Sequence, residues 1–223
     1  MAEIQYLGHS CFRLRGRDGV VLTDPFGTQV GYDIGKPTAH IVTISHGHDD
    51  HNNIEAVKSL REPLFVADGP GEYEVSNVLM TGVGTYHDDK KGEERGRNTV
   101  FVIHLDDVVF CHLGDLGHEL TAAQVEEIGD VDVLFVPVGG NFTIDATLAA
   151  TVIGQIEPRI AIPMHYAYAD GNPLLAPVDK FMAEMGMKEF TPEDKLAVTA
   201  SSLPAAEAQT RILVLNPAQL TPV

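Results

Sequence analysis

The sequence predicts a four-layer αββα sandwich of the mixed α/β (α+β) class, in which two mixed β-sheets pack face to face and helices cover the outer faces. Strand-like segments fill both halves of the chain, fewer helical segments lie between them, and no domain-sized linker interrupts the pattern. With 223 residues and 44% hydrophobic residues, the chain can bury one full core. We therefore expect a single domain over residues 1–223.

The first third of the chain predicts mostly sheet. Apolar runs and alternating patterns predict strands over residues 4–7, 10–15, 20–23 and 40–45. After the last of these strands, Asn53 is expected to cap a helix that ends before Pro63. Apolar residues recur in it at helical spacing, at Ile54, Val57 and Leu60. The polar segment before this helix would then lie on a strand-to-helix loop, where reactive groups are often placed.

The remaining two thirds predicts strands interleaved with three helices. Thr121 and Gln124 have the spacing of a capping box, before a helix that Gly129 can end. Further helices are expected over residues 145–156 and 178–185. The predicted strands are 64–67, 73–75, 78–83, 99–105, 108–111, 131–138, 160–162, 195–199 and 211–215.

The densest concentration of reactive side chains lies in residues 45–52, which read Ser-His-Gly-His-Asp-Asp-His-Asn. Because side chains alternate along a strand, His46 and His48 point to the same side. A turn after them can bring Asp50 and His51 to a neighbouring point, while Asp49 faces away. Burying so many titratable groups together is costly unless a cation pairs with them. The segment therefore predicts a metal site that could serve two ions.

The formal net charge of −17 restricts the partners of the chain. A broad footprint on nucleic acid needs clustered Lys and Arg, so long nucleic acid is disfavoured as a substrate. Two divalent ions would offset part of the negative charge inside the pocket, so a small-molecule substrate is expected and an anionic one is admissible. The sequence is also compatible with a homo-oligomer.

The expected compartment follows from several sequence features. No apolar stretch approaches the roughly 18 residues that a membrane span needs, and residues 1–4 do not resemble the start of a signal peptide. Cys11 and Cys111 form neither a disulfide framework nor a metal-binding pair, so both are expected to be buried apolar residues. We therefore expect a cytoplasmic protein.

A site for two ions needs more ligands than residues 45–52 supply, and three further residues qualify. His87, Asp115 and His165 each come just after a predicted strand. Taken alone, each would more often be a surface or hydrogen-bonded residue than a ligand. In a chain that already contains the dense segment, we expect them to complete the site, because functional residues commonly follow the elements of a rigid scaffold.

The pattern His-x-His-x-Asp-His at residues 46–51, with its carboxylate at Asp50, resembles the signature of the metallo-β-lactamase superfamily. Gly114-Asp115 and His165 extend the resemblance over residues 4–166. Within the superfamily, the chain is similar to the stand-alone group related to the ascorbate-6-phosphate lactonases and the N-acyl-phosphatidylethanolamine phospholipases. The segments that carry this likeness are Leu7-Gly8-His9-Ser10, Thr23-Asp24-Pro25, Asp115-Leu116-Gly117-His118, Pro137-Val138-Gly139-Gly140 and Ile162-Pro163-Met164-His165-Tyr166.

The resemblance implies a centre of two divalent metal ions. The implied ligands are His46, His48 and a third histidine for one ion, Asp50, His51 and His165 for the other, and Asp115 as a bridge. The third histidine is either His87 or His112. We favour His87, since His112 and Asp115 leave the same strand end and would compete for space. Imidazole and carboxylate favour zinc, while manganese, iron and nickel stay admissible because no thiolate biases the choice.

The implied activity is metal-dependent hydrolysis of a small phosphoester or lactone. Two divalent ions lower the pKa of a shared water and polarise the bond under attack. Asp50 and His9 are the expected catalytic pair, Asp50 to orient the attacking group and His9 to protonate the leaving group. For His9, a substrate contact, an additional metal ligand and a hydrogen bond between strands also stay open. Asp24 is expected to orient a metal-bound imidazole.

A polar loop over residues 88–98 follows His87. Its basic residues are Lys90, Lys91, Arg95 and Arg97. Two interpretations stay open. If the loop is a solvated connection, it has no part in binding. If it folds over the metals, it would hold a phosphate or carboxylate. Aromatic walls for the substrate are expected from Phe26, Phe142, Tyr166 and Tyr168.

Three other function classes stay open. The same ligands can hold iron in redox proteins, but the chain contains no flavin or electron-transfer domain. A nuclease could cleave short nucleic acids, but the chain lacks the extra domain or basic arm that would grip a long one. A metal-binding or regulatory protein without turnover would be indicated by a site that protein groups fill or wall off.

Overall fold

The computed structural model describes residues 1–168, 173–218 and 221–222. The strands of the first third are β1 (Ala2–Gly8), β2 (Cys11–Arg15), β3 (Val20–Thr23), β4 (Tyr32–Asp33), β5 (Thr38–Ala39), β6 (Ile41–Thr43), β7 (Lys58–Ser59) and β8 (Phe65–Ala67). The later strands are β9 (Gly71–Val75), β10 (Val78–Tyr86), β11 (Arg97–Leu105), β12 (Val108–His112), β13 (Val133–Pro137), β14 (Ile160–Met164), β15 (Leu196–Val198), β16 (Arg211–Ile212) and β17 (Thr221–Pro222). The α-helices are α1 (Ala122–Ile128), α2 (Ala146–Ile156) and α3 (Val178–Glu184).

Two large mixed sheets contain most of these strands. The first has the order β15-β1-β2-β3-β6-β8, in which β3, β6 and β8 are parallel. The second has the order β16-β14-β13-β12-β11-β10-β9, in which β12, β13, β14 and β16 are parallel. Because the carboxyl ends of parallel strands meet at one edge of a sheet, the loops that follow these strands come together.

The main core lies between the two sheets. Tyr6 and Phe12 from the first sheet belong to the same buried cluster as Phe110 and Phe135 from the second. The rings of Phe12 and Phe135 meet across the interface with their centroids 4.1 Å apart. Burying one such side chain contributes about 1.5–3 kcal/mol, so this layer holds the sheets together. The predicted face-to-face packing of two sheets is confirmed.

The outer face of the first sheet is buried by a second cluster. Along β3, Val21 points into the main core, whereas Val20 and Leu22 point to the opposite face and contact a cluster that includes Phe26 and Tyr32. The α-helices lie elsewhere, since α1 packs on β10, α2 packs on β13, and α3 packs on α2. Loops and 3-10 turns therefore cover the first sheet, while helices cover the second.

The prediction of a helix after Asn53 is wrong. The structure has a single 3-10 turn there, Ile54–Ala56, followed by β7. The Asn53 side chain donates to the carbonyl of Phe26 at 3.0 Å and makes no cap. The backbone N–H of Lys58 donates to the carbonyl of Pro37 at 2.8 Å, so contacts with a distant segment replace helical hydrogen bonds. Two of the three apolar residues that suggested a helix pack instead against the second cluster.

The other predicted elements are present, with shifted ends. The capping box of α1 is confirmed, because Thr121 accepts from the Gln124 backbone N–H and Gln124 accepts from the Thr121 backbone N–H. Gly129 ends that helix. Cys11 and Cys111 are free and buried, as expected. In the described residues, no helix has the length and apolar character needed to span a bilayer.

Candidate metal centre

Loops at one edge of the two sheets converge on the carboxylate of Asp115, which follows β12. The converging loops follow β1, β3, β6, β10 and β14. The distances from Asp115 Oδ2 are 3.3 Å to Nε2 of His51, 3.3 Å to Nε2 of His87, 3.4 Å to Nε2 of His165 and 4.0 Å to Nε2 of His46. Four imidazoles therefore surround one carboxylate oxygen, an arrangement that suits a ligand shared between two cations.

One set of candidate ligands, the outer group, consists of His46, His48 and His87. Their ligand atoms lie within 4.8 Å of one another, and His46 Nε2 is 2.9 Å from His48 Nδ1. His46 and His87 are buried, whereas His48 is exposed. Burial, followed by the charge of His51, lowers the pKa of His46 to about 3, and burial also lowers the pKa of His87. Both rings are therefore neutral at pH 7, the form that binds a metal ion.

A second set, the inner group, consists of His9, Asp50, His51 and His165, whose ligand atoms also lie within 4.8 Å of one another. His9 Nε2 is 3.2 Å from His51 Nε2 and 3.3 Å from Asp50 Oδ2. Burial and the nearby His165 lower the pKa of His9 to about 4. Burial raises the pKa of Asp50, but the hydrogen bond from His9 and the charge of His51 together outweigh burial, and the net pKa is lowered. A neutral imidazole thus faces an ionised carboxylate.

The buried carboxylate of Asp24 aligns one imidazole of each group. Asp24 Oδ2 is 2.9 Å from His51 Nδ1 and accepts from Ser45 Oγ at 2.5 Å. Ser45 Oγ lies 2.9 Å from His46 Nδ1. Because the serine hydroxyl gives its one proton to Asp24, it accepts from His46 Nδ1–H. Nδ1 of both rings therefore donates within this network, and Nε2 of both rings faces the centre of the site.

The electrostatic field at the centre favours positive charge. Burial lowers the pKa of His51, but the carboxylates of Asp115 and Asp24 outweigh it and raise the pKa well above its usual value. Burial raises the pKa of Asp115, but His165 and His51 outweigh it and lower the pKa well below its usual value. The neighbouring histidines thus keep Asp115 ionised, and its negative charge attracts a cation to the centre of the site.

Two glycines allow the ligand loops to approach one another. A Cβ on Gly117 would collide with the backbone of His87, and a Cβ on Gly139 would collide with the carbonyl oxygen of His165. Only glycine fits at such close approaches. The two positions therefore set the distance at which these histidines reach the centre.

The backbone is strained at three positions around the site. His9, Asp24 and His165 have φ values of 53°, 37° and 52°, in the left-handed region that non-glycine residues rarely adopt. Each such residue costs on the order of 1–3 kcal/mol, and such strain clusters at functional sites. The backbone N–H of His165 donates to the carbonyl of His9 at 2.8 Å, which ties two of these residues together.

The structure separates the two candidates for the third histidine. His112 Nε2 is 2.8 Å from the carbonyl oxygen of Ser10, and its Nδ1 accepts from the backbone N–H of Gly114 at 3.2 Å. Both of its ring nitrogens are therefore used within the scaffold. His87 instead faces Asp115 and lies in the outer group. The geometry therefore favours His87, the residue preferred from the sequence.

The donor set fits divalent metal ions. Asp115 Oδ1, His87 Nδ1 and His165 Nδ1 are buried and have no hydrogen-bond partner within the described residues. Ring nitrogens face one another at 2.9 Å in the outer group and 3.2 Å in the inner group. Imidazole nitrogens and carboxylate oxygens directed at a common point are the ligands that zinc and related ions prefer.

Two supporting residues gave different signals in the sequence. Ser45 directly precedes the histidine pattern, so its position could have suggested contact with a ligand. The side chain of Asn98 accepts from the backbone N–H of Asp115 and donates to the carbonyl of Leu113, both at 2.9 Å. Nothing in the sequence near Asn98 indicates this role, because it depends on the pairing of β11 with β12.

A cleft of about 440 Å³ opens beside the inner group. Tyr166 and Tyr168 line it, as predicted, and Tyr32 lines it as well. The predicted contribution of two other aromatic residues is wrong. Phe26 lies in the second buried cluster, and Phe142 lies under the guanidinium of Arg95.

The basic loop after His87 is folded around Asp88 and stays away from the cleft. The Asp88 carboxylate accepts from four backbone N–H groups of its own loop at 2.8–3.0 Å. Burial raises the pKa of Asp88, but these donors outweigh it and lower the pKa to about 2. None of the loop's basic side chains lines the cleft in the described part of the chain. The interpretation of this loop as a solvated connection fits best.

Sequence comparisons place this site among related proteins. A family model described as beta-lactamase superfamily domain matches residues 3–165. A UPF0173 metal-dependent hydrolase from Thermococcus onnurineus is 28% identical, and the match covers 84% of this chain and 94% of the relative. A UPF0173 metal-dependent hydrolase from Thermoplasma acidophilum is 29% identical, with 74% and 83% covered.

Solved structures agree in fold. A proposed Zn-dependent hydrolase of the metallo-β-lactamase superfamily from Thermotoga maritima superposes with a TM-score of 0.74 at 35% identity, covering 96% of this chain and 99% of the other. A metallo hydrolase from Ignicoccus hospitalis gives a TM-score of 0.65 at 19% identity, with 99% and 97% covered. At that identity the second likeness concerns the fold alone.

Proposed function

This chain belongs to the metallo-β-lactamase superfamily, and from that premise we propose that it is a hydrolase that uses two divalent metal ions. The single observation that carries the proposal is the position of Asp115 Oδ2, between imidazoles of the outer and inner groups at 3.3–4.0 Å. Relatives that match most of the chain are metal-dependent hydrolases by name, which supports the same class of activity.

Each group would hold one ion. The outer group would bind through three imidazoles, the inner group through imidazoles and the carboxylate of Asp50, and Asp115 would be shared. Zinc is favoured by this ligand set. Divalent ions bound there would lower the pKa of water and polarise the bond under attack.

The chain's own residues would position the substrate and handle the proton. Asp50 is partly exposed at the cleft and ionised, so it can accept a hydrogen bond from the attacking group. His9 lies beside Asp50 and also lines the cleft, where its neutral imidazole can take a proton from the attacking group and pass it to the leaving group. Asp24, through its contacts with His51 and Ser45, keeps two ligand rings in one orientation.

The proposed substrate is a small molecule, because the cleft beside the inner group has the size of a small-molecule site. Hydrolysis of a phosphoester or a lactone is the proposed reaction. The chain's acidic balance, with a net charge of −17, disfavours long nucleic acid.

The test combines metal analysis with activity. We expect protein purified without added metal to contain zinc or another divalent ion, and metal-loaded protein to hydrolyse at least one of a panel of phosphoesters and lactones. Asp50→Asn should lower kcat by roughly 10²-fold or more. The control is Asp130→Asn, which removes an equal charge from an exposed position after α1 and should leave kcat unchanged. Full activity in Asp50→Asn would exclude the role given to this carboxylate.

A further inference from the structure

The cleft beside the inner group has an unusual balance of charge for a site that would take an anion. Its lining includes the carboxylates of Asp49 and Asp50 and the imidazole of His9. Across the described part of the chain, neither Lys nor Arg is among its lining residues. The whole chain adds a formal charge of −17. Apart from the reacting end at the metals, nothing in the cleft offers a cation to a substrate.

Two basic residues of the loop after His87 have partners of their own. Lys90 forms an ion pair with Glu94 on the surface of the basic loop. The guanidinium of Arg95 donates to the carbonyl of Asn141 at 3.1 Å and lies 5.8 Å from the ring centre of Phe142. Neither side chain is among the described residues that line the cleft.

Apart from the amide of Gln29, the remaining side chains that line the cleft are aromatic and aliphatic. Tyr32, Tyr166 and Tyr168 form one part of it, and Val30 and Leu175 form another. Aromatic side chains supply large apolar contact areas with little loss of conformational entropy. Such walls stabilise an apolar or aromatic group of a bound molecule, and towards a second negative charge they offer hydroxyl groups but no positive charge.

We propose, resting on the hydrolytic function proposed above, that the cleft selects uncharged carboxylic esters or lactones with an aromatic or aliphatic group, in preference to phosphoesters. A substrate with a carboxylate or phosphate in the cleft would lose hydration next to Asp49 and would find only neutral hydrogen-bond donors, and no Lys or Arg, among the described lining residues. Between phosphoesters and carboxylic esters or lactones, the cleft thus favours the carboxylic esters or lactones.

The reaction is balanced by water alone. The oxygen of water forms a bond to the acyl carbon, and the bond from that carbon to the alkoxy or phenoxy oxygen breaks. One proton from water passes to the departing oxygen, for which His9 is placed, and the acyl product leaves as a carboxylic acid.

A matched pair of esters tests the proposal. 4-Nitrophenyl butyrate and mono-4-nitrophenyl succinate have acyl chains of equal length, and the succinate has a terminal carboxylate in place of a methyl group. With metal-loaded protein we expect kcat/KM to be at least roughly tenfold higher for the butyrate, mainly through KM. 4-Nitrophenyl phosphate should be the poorest of the three substrates. Faster enzymatic hydrolysis of the phosphate, or of the succinate after subtraction of the hydrolysis that its own carboxylate causes without protein, would overturn the proposal.

Substitution at the cleft separates local charge from the field of the whole chain. Asp49→Asn should raise kcat/KM for the succinate several-fold and leave the butyrate within about twofold. Asp89→Asn, which removes an equal charge from an exposed residue of the basic loop, should leave the ratio of the two esters unchanged. Equal effects of the two variants would show that the cleft itself does not select against charge.

Binding of unreactive analogues separates this proposal from the hydrolytic function. N-Phenylbutanamide and N-phenylsuccinamic acid repeat the same charge difference without an ester bond, and their binding can be measured by ligand-observed NMR. Tighter binding of the butanamide supports the selectivity even where neither ester is hydrolysed, an outcome that would remove only the hydrolytic function. Equal or tighter binding of the succinamic acid contradicts the selectivity, whatever the activity.

Discussion

The two halves of the candidate metal centre both adjoin Asp115 but differ in how they are built. The outer group consists of imidazoles, and His48 among them is exposed. The inner group includes the carboxylate of Asp50, keeps its imidazoles buried, and borders the cleft. The two groups therefore differ in ligand type, in burial and in access to the cleft. We expect the outer group to hold its ion and the inner group to hold its ion where a substrate can reach it.

The largest effect is expected from removing the carboxylate that the two groups share. Asp115→Ala should lower the metal content from about two ions per chain to less than one. Activity should fall by more than the roughly 10–100-fold that is typical of losing a supporting residue. The measurements are elemental analysis and ester hydrolysis, with Asp130→Asn as the control. A variant that keeps both ions would show that the two groups do not depend on a common ligand.

Substitution of one imidazole in each group should separate the two halves. His51 is buried and contacts Asp24, so His51→Ala should lower both the metal content and the free energy of unfolding of the metal-free protein, the latter by about 1–3 kcal/mol. His48 is exposed, so His48→Ala should lower the metal content but change the unfolding free energy by only about 0.5 kcal/mol or less.

Urea denaturation and elemental analysis of the two variants measure these effects. Equal losses of stability would mean that the difference in burial between the halves has no energetic consequence.

The supporting residues should show the same separation at a smaller scale. Asp24 aligns His51 directly and His46 through Ser45, so Asp24→Asn should weaken metal binding in both groups, by roughly 10–100-fold. Ser45→Ala removes the hydroxyl that joins Asp24 to His46 but keeps the contact of Asp24 with His51, so it should weaken the outer group more than the inner group. Competition with a coloured chelator measures both affinities. Equal loss of both ions in Ser45→Ala would contradict this division.

The smallest effect is expected from the loop after His87. Asp88→Ala removes an acceptor for four backbone N–H groups, so trypsin should cut at Lys90, Lys91 or Arg95 roughly tenfold faster. Since His87 adjoins this loop, the outer ion should be released somewhat more easily. Asp89→Ala, at the next and exposed position, is the matched control. Equal cleavage of the two variants would show that the Asp88 carboxylate does not stabilise this loop.

Strands and capped helices could be predicted because their signals are local. The capping box at Thr121 and the apolar run of β3 each depend on neighbouring residues, and both are present in the structure. The segment after Asn53 shows the limit of such signals. Its apolar spacing fitted a helix, but hydrogen bonds to distant backbone groups and a buried surface on the first sheet decided its conformation.

The site could be predicted only where its residues are close together in the chain or follow strands. Asp50 and His51 stand in one dense segment, and Asp115 and His165 follow strands whose apolar character marks them. The cleft could be predicted only in part. Phe26 has the right character for a substrate wall, but its place in the second cluster depends on which face of the first sheet the chain covers.

The sequence by itself determined the chemistry of this protein, because residue type and short spacing suffice to specify imidazole and carboxylate ligands after buried strands. Only the tertiary structure decided which of these groups meet, which of His87 and His112 faces the centre, and that Ser45 and Asn98 support the ligands. The reason is physical. Ligand character belongs to single side chains, whereas distances of about 3 Å between loops depend on the register and packing of two sheets.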